Sequence, residues 1–131
     1  MFLSNEKTIL CLCHDEMTLR VRQLLLEYFG FRVLTTESAE EMSELIRDRC
    51  PNMLLMDDGY PGIDYNRAAE KAKAICPDIL AVVLTGAFRL RPAAEPPVDC
   101  FLNLEGPREE WLAEIQSLLK HSYSRTAENS R

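Results

Sequence analysis

Pro51-Asn52-Met53-Leu54-Leu55-Met56-Asp57-Asp58-Gly59 is the stretch that decides the fold. Four consecutive apolar residues without polar alternation read as a strand covered on both faces, and the run breaks abruptly into two carboxylates and a glycine. Four further runs share this character: Lys7–Leu12 (KTILCL), Phe31–Thr35 (FRVLT), Ile79–Leu84 (ILAVVL) and Cys100–Leu102 within VDCFL. Each has strand length. The segments between them carry helical periodicity instead.

In the first such segment Leu19, Leu24, Leu25, Tyr28 and Phe29 are expected to share the core face, and Gly30 supplies the stop because it tolerates a left-handed backbone. The second is announced by Thr36-Glu37-Ser38-Ala39-Glu40-Glu41, which offers a capping hydroxyl and early acids. Its core face uses Met42, Leu45 and Ile46, and Pro51 ends it. The third runs from about Tyr65 to Ile75, with Asp58 and Asp64 reading as turn or cap residues. The last begins at Pro107 and carries Trp111, Leu112, Ile115, Leu118 and Leu119. Residues 1–120 form one domain, and 121–131 read as a frayed C-terminal tail. Between the fourth and fifth strands, Pro92, Pro96 and Pro97 forbid a normal helix, so at most one short turn fits there.

Strand and helix in alternation predict an α/β fold, a five-stranded parallel sheet with helices on both faces. Right-handed crossovers make it doubly wound, and ligands in such sheets bind beyond the carboxyl ends of the strands.

The bulk properties exclude several classes. A length of 131 residues suits one domain, and the net charge of −6 argues against nucleic acid and anionic membranes, both of which select Lys and Arg. No apolar run approaches the ~20 residues of a spanning helix. The first residues, MFLSNEK, lack a basic region followed by an apolar stretch, so a cytoplasmic protein is expected. The five cysteines, at 11, 13, 50, 76 and 100, do not look like a disulfide framework. Cys11-x-Cys13-His14 has no second cysteine pair at zinc-ligand spacing, and Cys11 and Cys13 read as small buried hydrophobes.

Chemistry gathers at the strand ends: His14-Asp15-Glu16, Asp57-Asp58-Gly59, Thr85-Gly86 and Asn103-Leu104-Glu105. If the first and third strands pair, Asp15 and Asp57 approach each other, and two unpartnered carboxylates repel. A hard cation such as Mg²⁺ resolves that conflict with oxygen ligands, and Thr85 adds a hydroxyl donor. His14 reads as a polar residue at a strand end rather than a catalytic base.

With these residues in order, the chain resembles the receiver domain of two-component response regulators. Asp57 followed by Pro61 is similar to that family's third strand and loop, where a proline stands four residues after the phosphate-accepting aspartate. His14-Asp15-Glu16 resembles its acidic cluster, Val82–Gly86 its hydroxyl-bearing strand, and Asp99-Cys100-Phe101-Leu102 its fifth strand. The match runs from about Lys7 to Lys120. It implies a flavodoxin-like strand order 2-1-3-4-5 and a signalling module, not an enzyme, working in a phosphorelay. Asp57 would then be the phosphoacceptor, Thr85 the residue that binds the phosphoryl group, and Phe101 the switch aromatic. Asp15, Asp57 and the carbonyl of Gly59 would hold Mg²⁺. A histidine kinase or another phosphodonor would act upstream, and a protein partner, or a second copy in a homodimer, would read the output.

Four departures stand out. His14 replaces one acid of the family pair, which weakens Mg²⁺ binding and makes it sensitive to pH. Leu104, or Glu105 with one inserted residue, stands in place of the family lysine. The proline-rich Arg89–Pro97 occupies the place of the family's fourth helix, which must be shortened or irregular, and Tyr65 replaces a common glycine. The alternative function is therefore a degenerate receiver, a phosphorylation-independent interaction module. A nucleotide- or flavin-binding enzyme of the same architecture is rejected, because no glycine-rich turn follows the first strand.

Overall fold

A computed structural model describes residues 7–58, 64–86, 95–104 and 107–129, with side chains through 120. The elements are β1 (Thr8–Leu12), α1 (Glu16–Tyr28), β2 (Arg32–Thr36), α2 (Ala39–Arg49), β3 (Met53–Asp57), α3 (Tyr65–Ile75), β4 (Leu80–Thr85), β5 (Cys100–Asn103) and α4 (Arg108–Asn129). All strands pair in parallel, in the order β2-β1-β3-β4-β5. The expected doubly wound sheet with order 2-1-3-4-5 is therefore present.

Alternation along each strand feeds two cores. Ile9, Cys11, Met53, Leu55, Val82 and Leu84 face Leu19 and Leu26 of α1 and Trp111, Leu112, Ile115 and Leu119 of α4. Leu10, Leu12, Leu54, Met56, Ala81 and Val83 face Met42 and Ile46 of α2 and Ala68, Ala69 and Ala72 of α3. Both faces of β3 and β4 are buried throughout, which is why their sequences show no polar alternation.

The helix ends follow local chemistry. Ser38 Oγ accepts from the backbone N–H groups of Glu40 and Glu41, and Asp64 Oδ1 accepts from that of Arg67. Gly30 takes φ +96°, and Cys50 ends α2 at φ 40°, an unusual position for a residue with a Cβ.

Three expectations change. The core face of α1 is Leu19, Arg22 and Leu26, whereas Leu24, Tyr28 and Phe29 are exposed. Successive helical residues turn by about 100°, and that rotation sets Leu24 and Tyr28 nearly opposite Leu26. The last helix continues to Asn129, past the end expected near Lys120. Cys50 and Cys76 form a disulfide between the C-caps of α2 and α3, with Cα atoms 5.8 Å apart, so the cysteines do contain one bridge. Spacing alone hid it because the partners are 26 residues apart and meet only through the α2–α3 packing. Most of the irregular fourth-helix region, residues 87–94, lies outside the described residues; the described Pro96-Pro97 forms a turn with a cis peptide bond.

Candidate functional site

β3 delivers Asp57 to the carboxyl end of the sheet, beside the point where strand order reverses. Its preceding residue Met56 pairs with Leu12 of β1, and Asp57 itself pairs with Leu84 of β4. Asp57 is buried, 6% exposed, at the end of a strand that is otherwise apolar. A lone carboxylate there would be costly, since ionised groups are rarely buried unpaired.

Its partner comes from α1. Arg22 Nη1 donates to Asp57 Oδ1, and the two side chains are 9% and 8% exposed. Helical side chains lean toward the helix N-terminus, and α1 begins at the carboxyl end of β1. From within the second turn, Arg22 therefore reaches back toward the acid. Burial lifts the Asp57 carboxyl above the ordinary carboxylate range; the guanidinium pulls it back only in part, and the charge of Asp58 raises it further.

Arg22 was absent from the residues singled out by sequence. A signal existed: it lies three residues after Leu19 and four before Leu26, on the buried arc of α1. A cation at such a position requires a buried acid nearby.

The other candidates are placed as follows. Asp15 is the N-cap of α1, where its Oδ2 accepts from the Thr18 backbone N–H at 3.0 Å and from the Thr18 hydroxyl. Those hydrogen bonds hold its pKa below the ordinary value. Thr85, fully buried, donates its hydroxyl to the Leu102 carbonyl at 3.3 Å. Phe101 points into the core and meets Tyr65 edge-to-face, with centroids 5.7 Å apart. His14 is exposed and lines a cavity of about 210 Å³ with Leu12, Glu37, Asp64 and Arg67. Leu104 packs against the core, whereas Gly59 and Glu105 lie outside the described residues. Lys73 serves architecture: its Nζ binds Asp99 at 2.7 Å and the Ile79 carbonyl at 2.8 Å.

Of the expected Mg²⁺ ligands, Asp15 and Asp57 are described, and the carbonyl of Gly59 lies outside the described residues. Asp15 is committed to its helix and Asp57 to Arg22, and no three His, Cys, Asp or Glu are grouped for a metal among the described residues. Positive charge at Asp57 comes from the guanidinium. Cys11 is fully buried, which pushes its thiol up to about 12 and makes it an inert hydrophobe, as its strand context implied.

Comparison with known proteins bears on the fold. No protein-family model matches the sequence, and no curated protein matches it. Among solved structures, the CheY-like response regulator receiver domain protein of Methanospirillum hungatei JF-1 matches with a TM-score of 0.76 at 21% identity, over 92% of this chain and 99% of that one. The receiver domain protein of Clostridium thermocellum gives 0.75 at 20% identity, over 92% and 97%. A structure of adenylate cyclase from Rhodopirellula baltica gives 0.81 at 27% identity, over 95% and 96%. The chain thus has the CheY-like, flavodoxin-type receiver fold over most of its length. No helix among the described residues is long and apolar enough to cross a membrane.

Proposed function

We propose that this chain is a receiver-type signalling module, rather than an enzyme, in which Asp57 accepts a phosphoryl group and Arg22 is the cation that attends it. The observation carrying this reading is the buried Arg22–Asp57 pair at the switch in strand order. The family lysine after the fifth strand is replaced by Leu104 or Glu105, and a guanidinium arrives instead from α1.

In the transfer, an Asp57 carboxylate oxygen forms a bond to phosphorus. The donor's bond to phosphorus breaks, and its electron pair leaves with the donor, a kinase phosphohistidine or a small phosphodonor. Charge spreads over the phosphoryl oxygens, and catalysis of such transfers is mostly positioning and charge stabilisation. Arginine suits this role because its planar fork matches phosphate and carboxylate alike. Thr85 would exchange the Leu102 carbonyl for a phosphoryl oxygen. That exchange frees the β5 backbone beside Phe101, whose ring contacts Tyr65 at the start of α3. A protein partner would read the altered surface, because two states are distinguished only by differential contacts.

A second reading is a phosphorylation-independent interaction module. It is favoured by one observation: Asp15, Asp57 and Thr85 each already have an internal partner. Intact-protein mass after incubation with a small phosphodonor, with and without Mg²⁺, separates the two. Gain of one phosphoryl group in the natural chain, and none in Asp57→Asn, supports the acceptor. No gain, together with no change in the amide NMR spectrum on adding beryllofluoride, leaves the interaction module.

A further inference from the structure

Among the described residues, the exposed large hydrophobics, Met17 (70%), Val21 (54%), Leu24 (62%), Tyr28 (84%) and Phe29 (40%), all belong to α1 or its C-cap. They are not scattered. Met17, Val21, Leu24 and Tyr28 follow the alternating 4-3-4 spacing of a coiled-coil seam. At 100° per residue they form a narrow stripe opposite the arc of Leu19, Arg22 and Leu26 that packs on the sheet. α1 therefore has a second apolar face, turned away from the face that packs on the sheet. Isolated exposed hydrophobes need no explanation, but a continuous stripe does.

We propose that this stripe is the contact surface of a symmetric dimer, in which α1 of one copy packs antiparallel on α1 of a second copy. The sequence is self-complementary about the midpoint between Arg22 and Gln23. Antiparallel pairing sets Val21 against Leu24 of the partner subunit and Met17 against Tyr28 of the partner subunit. Each pair recurs by the two-fold axis, as an isologous contact requires. The flank agrees in charge. Arg20 and Glu27 are exposed along the same side of the stripe, seven residues apart, at positions that face each other across an antiparallel seam. Each copy then places Arg20 opposite Glu27 of the partner subunit, twice per dimer. A parallel arrangement would set Arg20 beside Leu25 of the partner subunit and lose this match.

One 13-residue helix per copy spans ~20 Å, which is short of a standard interface of ~800 Å² per partner, so a weak, concentration-dependent dimer is expected.

Sedimentation equilibrium of the full chain from micromolar to millimolar concentration tests the proposal. The natural chain should pass from monomer to dimer. Leu24→Glu, which places two carboxylates beside the two-fold axis, should remain monomeric with an unchanged circular dichroism spectrum. Arg20→Glu alone should weaken the dimer roughly tenfold, and Arg20→Glu with Glu27→Arg should restore it. A single 15.0 kDa species at every concentration overturns the proposal and leaves the stripe to a different helical partner. A dimer that survives Leu24→Glu places the contact elsewhere, and failure of the charge exchange to restore association overturns the antiparallel register.

Discussion

Replacing Arg22 by methionine removes the guanidinium while keeping an apolar stem against Leu19 and Leu26. What remains is an Asp57 carboxylate with no cation, in a place where it is 6% exposed. Had this been a surface pair, the loss would be about 0–1 kcal/mol. With both partners below a tenth exposed, the penalty belongs to the class of broken buried pairs, about 3–5 kcal/mol. A domain of this size has total stability of about 5–15 kcal/mol, so Arg22→Met should consume a large share of it. Urea unfolding at neutral pH, followed by circular dichroism, measures the change. Adding Asp57→Leu to Arg22→Met removes the stranded charge and should recover most of the loss, since an apolar pair of similar volume is often neutral or stabilising. The Arg22→Met deficit should also shrink in acid, where Asp57 takes up a proton. A loss below about 1 kcal/mol, or a double variant no better than the single one, refutes the buried-pair argument.

Three further outcomes are expected. Because burial raises Asp57, the folded chain holds that proton more tightly than the unfolded chain. Stability from this residue therefore falls as pH rises from the unfolded carboxylate value through the folded one. The urea midpoint of the natural chain relative to Asp57→Asn should drop over that window; a rise would mean that Arg22 outweighs desolvation. Ser38→Ala strips the α2 N-terminus of its side-chain acceptor and should cost about 1 kcal/mol in the same unfolding assay. Reducing Cys50–Cys76 opens a 26-residue span, and chain entropy puts the loss at about 3.5 kcal/mol, visible as a lower urea midpoint in reductant. A Cys50→Ser, Cys76→Ser variant should show no response to reductant.

The fold was legible because burial on two faces leaves a mark that local sequence cannot hide: β3 and β4 are apolar without interruption, and Ser38 and Asp64 announce their helices. Asp57 was legible from its place at a strand end. The partners were harder. Arg22 reads as a surface cation until its neighbours at three and four residues are weighed, and Asp15 could as well bind an ion as cap a helix. On α1 the apolar residues are too many for one face, so Leu24 and Tyr28 of the exposed stripe read as core in the sequence. Cys50 and Cys76 carry no local sign of their pairing, because tertiary contact between α2 and α3 alone brings them together.

That covalent link has a mechanical consequence. It joins α2 and α3 at their C-terminal ends, at the opposite pole of the sheet from Asp57, while their N-terminal ends flank the cavity lined by Glu37, Ala39, Asp64 and Arg67. The two helices are thus like the legs of a pair of dividers, pivoted at the far end. Sliding past one another is blocked, and the remaining freedom is to splay or close at the tips. Any rearrangement near Tyr65, the first residue of α3, is converted by this pivot into a change in the width of that cleft.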